Sequence, residues 1–143
     1  MTPKTIFTKT TVRDAAICCV ARSQKTNLEY GFAVAKQPLE RTPIQKGDNN
    51  GLTIHYGRTP FISAHTHPDE QYETLFSATD IRSLLNSPIQ YGTILYDDNS
   101  RAYADIFQAQ DTQLPKQPNL QQIRRHSNKL RYETVDLGEM PPR

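Results

Sequence analysis

From Thr10 onward, apolar residues recur at Val12, Ala15, Ala16, Cys19 and Val20, the i, i+3, i+4, i+7, i+8 spacing of one helix face. Thr10 or Thr11 can cap this helix, Asp14 suits the positive end of its dipole, and Asn27 closes it. The stripe puts Cys19 on the buried face, where a free cysteine behaves as a small hydrophobe. Leu28–Ala35 (LEYGFAVA) then reads as a strand. The GDNNG run at 47–51 is a turn signal, so Gln37–Gln45 and Leu52–Tyr56 can pair across it. Pro60–Ala64 (PFISA) reads as a short buried strand. A second helix is expected from Ser77, with Ile81, Leu84 and Leu85 on one face and a stop at Asn86-Ser87-Pro88. Gln90–Tyr96 and Arg101–Phe107 follow as a hairpin across Asp97-Asp98-Asn99-Ser100. Tyr91, Tyr96 and Tyr103 fall on these two strands and suit cross-strand packing. The order helix, strands, helix, strands predicts an α/β chain of the layered α+β kind, a mixed sheet flanked by helices.

Composition narrows the class. The 143 residues suffice for one domain, and 36% apolar against 22% charged residues is too apolar for a disordered chain. No apolar run approaches the roughly 18–20 residues that span a bilayer, so no membrane partner is expected. The start, MTPKTIFTKTT, has no apolar segment of the secretory kind. The expectation is a cytoplasmic protein, or one secreted without a cleavable signal peptide. Cys18 and Cys19 are adjacent, which suits neither a mutual disulfide nor a metal-binding spacing.

Charge divides the chain unevenly. Residues 1–107 carry eleven Lys+Arg and eleven Asp+Glu, so the formal net +2 resides in the remainder. This balance argues against nucleic acid as a partner of the whole surface. A compact core is therefore expected over 5–107, a Gln/Pro-rich linker or loop over 108–118, and a basic, partly helical C-terminal segment over 119–143. Arg124, Arg125, His126, Lys129 and Arg131 of that segment read as a solvated helix face.

One stretch departs from ordinary core or loop composition: FISAHTHPDEQYETLFSATDI. His65 and His67 are two apart, and residues i and i+2 of a strand point to the same side. Two imidazoles at the end of a buried strand can converge on one metal ion, and Pro68 ends the strand there. Asp80, thirteen residues after His67, lies in the first turn of the expected helix and can return to complete a three-ligand set. Two His, one Asp and an open fourth position is the pattern of a catalytic zinc site. Zinc lowers the pKa of bound water to about 7 and polarises a carbonyl. Hydrolysis also needs a base close by but not coordinating, and Glu29, in its apolar strand context, is the best candidate. Gly31 just after it would let another backbone approach closely. Glu40, Glu70 and Glu73 remain as alternatives should the strand register differ. His55 alternates with Ile54 and reads as exposed.

The order Glu29, His65-Thr66-His67-Pro68, Ser77-Ala78-Thr79-Asp80 resembles the JAMM motif of the JAB/MPN metallopeptidase superfamily. The resemblance covers about residues 7–107. It is closer to the JAB-like domains at the C-termini of bacterial polymorphic toxins and secreted effectors, which share an Ala-rich helix followed by residues like Ser23, Asn27 and Glu29-Tyr30-Gly31. It implies a JAB/MPN-like fold, related in layout to the cytidine-deaminase-like fold. It also implies Zn²⁺ on His65, His67 and Asp80, Glu29 as general acid/base, and Ser77 as hydrogen-bond donor to the oxyanion. The implied activity is hydrolysis of amide or isopeptide bonds in a protein or peptide, by an effector or toxin domain with a cognate immunity or carrier protein as partner. Twelve residues (Pro68 to Thr79) separate His67 from Asp80, two more than the ten usual in the family, and a longer loop costs little closure entropy. Ser77 and Asp80 also satisfy a capping box, which needs no chemistry. A metal-free JAB-like interaction module is the alternative reading. Zinc chemistry on nucleotides is a third, disfavoured because His-x-Glu and Pro-Cys-x-x-Cys elements are missing.

Overall fold

A computed structural model describes residues 1–49, 51–58, 60–67, 80, 83–84, 86–108, 119, 121 and 131–142. The chain opens on a short helix, α1 (Pro3–Thr8), that the hydrophobic pattern did not predict. Thr2 caps it by accepting from the Thr5 N–H, and Pro3 occupies the first turn, where its missing N–H costs nothing. The expected long helix follows as α2 (Thr10–Thr26), ended by Asn27 in the left-handed conformation with φ 59°. Its cap differs from the expectation. Lys9 holds the N-cap position without a side-chain hydrogen bond, and Thr10 is already helical. Val12, Ala15, Ala16, Cys19 and Val20 are all buried, as the spacing required. Burial pushes the Cys19 thiol up to about 12, so it stays protonated and unreactive.

Among the described residues, seven strands form one mixed sheet: β1 (Tyr30–Lys36), β2 (Leu39–Arg41), β3 (Gln45–Lys46), β4 (Ile62–Thr66), β5 (Tyr91–Asp98), β6 (Arg101–Gln108) and β7 (Arg131–Glu139). Their order is β2-β1-β4-β5-β6-β7, with β3 also pairing β1. Among the described residues, only β4 and β5 run parallel; every other pair is antiparallel. Phe32, Val34, Ile62, Ala64, Leu95, Ala104, Ile106, Val135 and Leu137 share one core with Ile6, Phe7 and the apolar stripe of α2. The opposite face is buried at Ala33, Ile94 and Phe107. Burial on both faces is why β1 reads as an unbroken apolar run. The architecture is thus α+β, as the element order implied.

Three details differ from the hydrophobic pattern. The segment Leu52–Tyr56 does not form a strand. Instead the Gln45 side-chain amide bonds His55 in both directions, donating to its carbonyl at 2.8 Å and accepting from its N–H at 2.7 Å. A side chain does there what a paired backbone would do. The hairpin turn falls on Asn99 and Ser100, with φ 51° and 67°, so β5 runs on to Asp98, two residues further than expected.

The sheet also extends past residue 107. β7 pairs with β6 along its length and contributes Val135 and Leu137 to the core, so the 119–143 segment is no mere tail. Of the expected 108–118 linker, only Gln108 is described, as the last residue of β6. Arg124, Arg125, His126 and Lys129 lie outside the described residues. Tyr96 and Tyr103 stack across the hairpin with ring centroids 5.5 Å apart, and Tyr91 meets Phe61 edge-on at 5.1 Å. Among the described residues, no helix is long and apolar enough to cross a membrane.

Candidate metal centre

The sheet brings three pieces of chain to one place. β4 ends at Thr66, and its parallel neighbour β5 requires a crossover connection, which carries Asp80. Ligand sites in sheets with parallel pairs form beyond the carboxyl ends of such strands, where the chain leaves the sheet. Because β1 is antiparallel to β4, the start of β1 lies at that same end. Gly31 pairs with His65 as the last pair of that ladder, so Glu29, just before β1, and His67, just after β4, both lie at this end of the sheet.

His65, His67 and Asp80 converge. The two Nε2 atoms are 3.2 Å apart. His67 Nε2 lies 2.9 Å from Asp80 Oδ2, and His65 Nε2 lies 3.3 Å from Asp80 Oδ1. The three side chains are 12%, 19% and 20% exposed, so the group is mostly enclosed yet reachable from solvent. Two imidazole nitrogens facing each other across 3.2 Å can share at most one proton, so their lone pairs are poised for a common acceptor. One nitrogen from each histidine and one carboxylate oxygen lie within 4.8 Å of one another and could hold a metal ion. The residues present fit such an ion.

The electrostatics are those of a compact charge cluster. Burial works to push the Asp80 carboxyl up, but His65 and His67 overcome it by charge and hydrogen bonding and hold it well below the usual carboxylate range. Burial works to lower the proton affinity of His65, and Asp80 with Glu29 outweighs it, leaving His65 above its ordinary value. Burial pushes Glu29 above its ordinary 4.5; His65 and His67 oppose that rise, while Asp80 and Asp48 add to it. Glu29 is only 7% exposed and close enough to feel all three members of the group.

The backbone around Glu29 is tightly held. Its N–H donates to the Asp48 carbonyl at 2.9 Å, and its own carbonyl accepts from the Gly47 N–H at 2.8 Å. Gly47 and Asp48 therefore pack beside Glu29, and the Asp48 carboxylate accepts the Gly51 N–H at 2.8 Å. A Cβ on Gly31 would overlap the Ala64 carbonyl oxygen and press within 3.0 Å of the His65 Cβ, which is the close approach its position suggested.

The remaining candidates separate cleanly. Glu40 sits on β2, ion-paired with Arg58 at 3.2 Å, and is no part of the group. His55 is exposed beside Gln45. Ser77, Glu70 and Glu73 lie outside the described residues. Of the expected second helix, Asp80, Ser83 and Leu84 are helical, and Leu84 is buried. Sequence reasoning passed over Thr66, whose buried hydroxyl accepts the Tyr30 N–H at 3.0 Å. Its position between the two histidines was the available signal. Comparison with protein-family models, with curated proteins and with solved structures finds no match to this chain.

Proposed function

We propose that the chain is a zinc-dependent hydrolase of amide or isopeptide bonds, of JAMM type and JAB/MPN-like fold. The observation that carries this reading is the spacing of the donor atoms. Zinc bonds of about 2.0–2.1 Å put neighbouring ligands of a tetrahedron about 3.3–3.4 Å apart. Here the two histidine nitrogens are 3.2 Å apart, Asp80 meets His67 through Oδ2 at 2.9 Å and His65 through Oδ1 at 3.3 Å, and one donor atom from each residue lies within 4.8 Å of the other two. His65, His67 and Asp80 would hold the ion and leave one tetrahedral position for water or substrate. Bound there, zinc would lower the pKa of water and polarise a carbonyl.

Glu29 has the environment of a general acid/base. It approaches the group from another strand, and burial raises its affinity for a proton toward the range where it can both take and return one. In this reading it accepts the proton of the attacking water and delivers it to the leaving amine. Ser77, by the motif, would donate a hydrogen bond to the oxyanion. The substrate would be a protein or peptide, and the biological setting a bacterial effector or toxin domain with a cognate immunity or carrier protein.

Elemental analysis of the protein purified without added metal tests the metal, beside a His65→Ala/His67→Ala double variant. The expected result is about one zinc per chain, lost in the double variant. Glu29→Ala should keep the metal and lose turnover of an isopeptide or peptide substrate, whereas His67→Ala should lose both. Absence of zinc in the unaltered protein, even after it is added back, would overturn the hydrolase and leave the metal-free interaction module.

A further inference from the structure

Thr66 stands between the two histidines and does not share their face of the sheet. The β1–β4 ladder runs from Val34↔Ile62 to Gly31↔His65 and has no further backbone pair. At the next position the Thr66 hydroxyl accepts the Tyr30 N–H at 3.0 Å and donates to the Tyr30 carbonyl at 3.5 Å. The hydroxyl therefore replaces the main-chain rung at the point where β4 leaves the sheet to carry His67. It is 2% exposed, and without it the Tyr30 N–H would lose its bond in a buried setting.

The peptide unit it holds is the one joining Glu29 to Tyr30. The carbonyl edge of that unit accepts the Gly47 N–H at 2.8 Å, and its N–H edge is bound to Thr66. One hydroxyl thus ties the strand bearing the candidate base to the strand end bearing both histidines. We propose that Thr66 is a positioning residue of the metal centre, replacing a backbone rung so that His67 can turn toward His65 while Glu29 stays at the same end of the sheet. This rests on the metal-centre reading of His65, His67 and Asp80. Groups that orient metal ligands from behind typically cost 10–100-fold in affinity when removed.

Cobalt(II) titration of the metal-free protein tests the assignment, because its visible absorption reports ligand geometry as well as occupancy. Thr66→Val keeps the side-chain shape and removes the hydroxyl. It should weaken Co²⁺ binding about 10-fold or more and alter the visible band. Thr66→Ser restores the hydroxyl and should return affinity to within about threefold of the unaltered protein, with the original band. A residue needed only for packing would change the melting temperature and leave the band unmoved. If Thr66→Val does not fold, Thr66→Ala against Thr66→Ser gives the same comparison. Unchanged affinity and band in the variant lacking the hydroxyl, or a serine variant as weak as the valine one, would overturn the positioning role while the metal centre stood. No Co²⁺ or Zn²⁺ binding by the unaltered protein would overturn the metal centre and this proposal with it.

Discussion

At the scale of single residues, Glu29 carries the clearest tension between stability and chemistry. A carboxyl only 7% exposed is held above its ordinary 4.5, chiefly by burial. As pH rises through 4.5 the unfolded chain releases this proton before the folded chain does, so folding stability is forfeited from about pH 4.5 upward. Glu29→Gln removes that cost while keeping the shape. In metal-free protein it should raise stability at pH 7–8, with the gain shrinking toward pH 4.5. Thermal melts of both proteins across that range check it, and a glutamine variant destabilised at every pH would mean the charge is structural. Glu29 was legible as a candidate because an acidic residue interrupts an apolar run. His65, His67 and Asp80 were legible from spacing. Thr66 was marked only by its position between the histidines, since a hydroxyl bonding where a ladder rung would fall leaves no mark in periodicity.

At the scale of elements, the local signals that survived were those tied to a strict period or a backbone requirement. The α2 stripe at helical spacing and the helix end at Asn27 both appear as read, Asn27 closing the helix in the left-handed conformation. α1 was not anticipated, because its six residues give too few apolar positions to establish a period. The 52–56 stretch alternates like a strand, yet the Gln45 amide satisfies His55 instead, and no propensity rule anticipates a side chain in that role. The β5–β6 turn yields a second expectation. Asn99 tolerates its φ of 51°, whereas Ser100 at φ 67° pays for a conformation that suits glycine. Ser100→Gly should therefore stabilise the protein by about 0.5–1 kcal/mol, net of the entropy glycine loses on folding. A shift of the urea midpoint to higher concentration at constant slope would show it, and a shift to lower concentration would mean the Ser100 side chain contributes something the turn needs.

At the scale of the whole molecule, the decisive question is where the core ends. A change of composition after residue 107 suggested a compact unit followed by a tail, because Gln, Pro and basic residues dominate there. The strand within that tail alternates nonetheless: Thr134 and Asp136 are exposed while Val135 and Leu137 are buried. Charge obscured the alternation, since only two of nine positions in RYETVDLGE are aliphatic and buried. Those two complete the face of the sheet that α1 and α2 cover, joining Ile6, Phe7 and Val12 in one cluster. β6 depends on β7 for one side of its ladder, and β5 depends on β6 in turn. The chain of dependence reaches β4 and so the end that bears His65 and His67. Leu137→Ala should consequently cost about 2–5 kcal/mol, the range for truncating a buried leucine, although the residue lies far along the sheet from the candidate metal centre. A chain ending at residue 130 would lose the whole strand and should unfold without a cooperative transition and bind no zinc. Full cooperativity and zinc binding in that shortened chain would instead restore the 5–107 core as the folding unit and reduce β7 to an accessory strand.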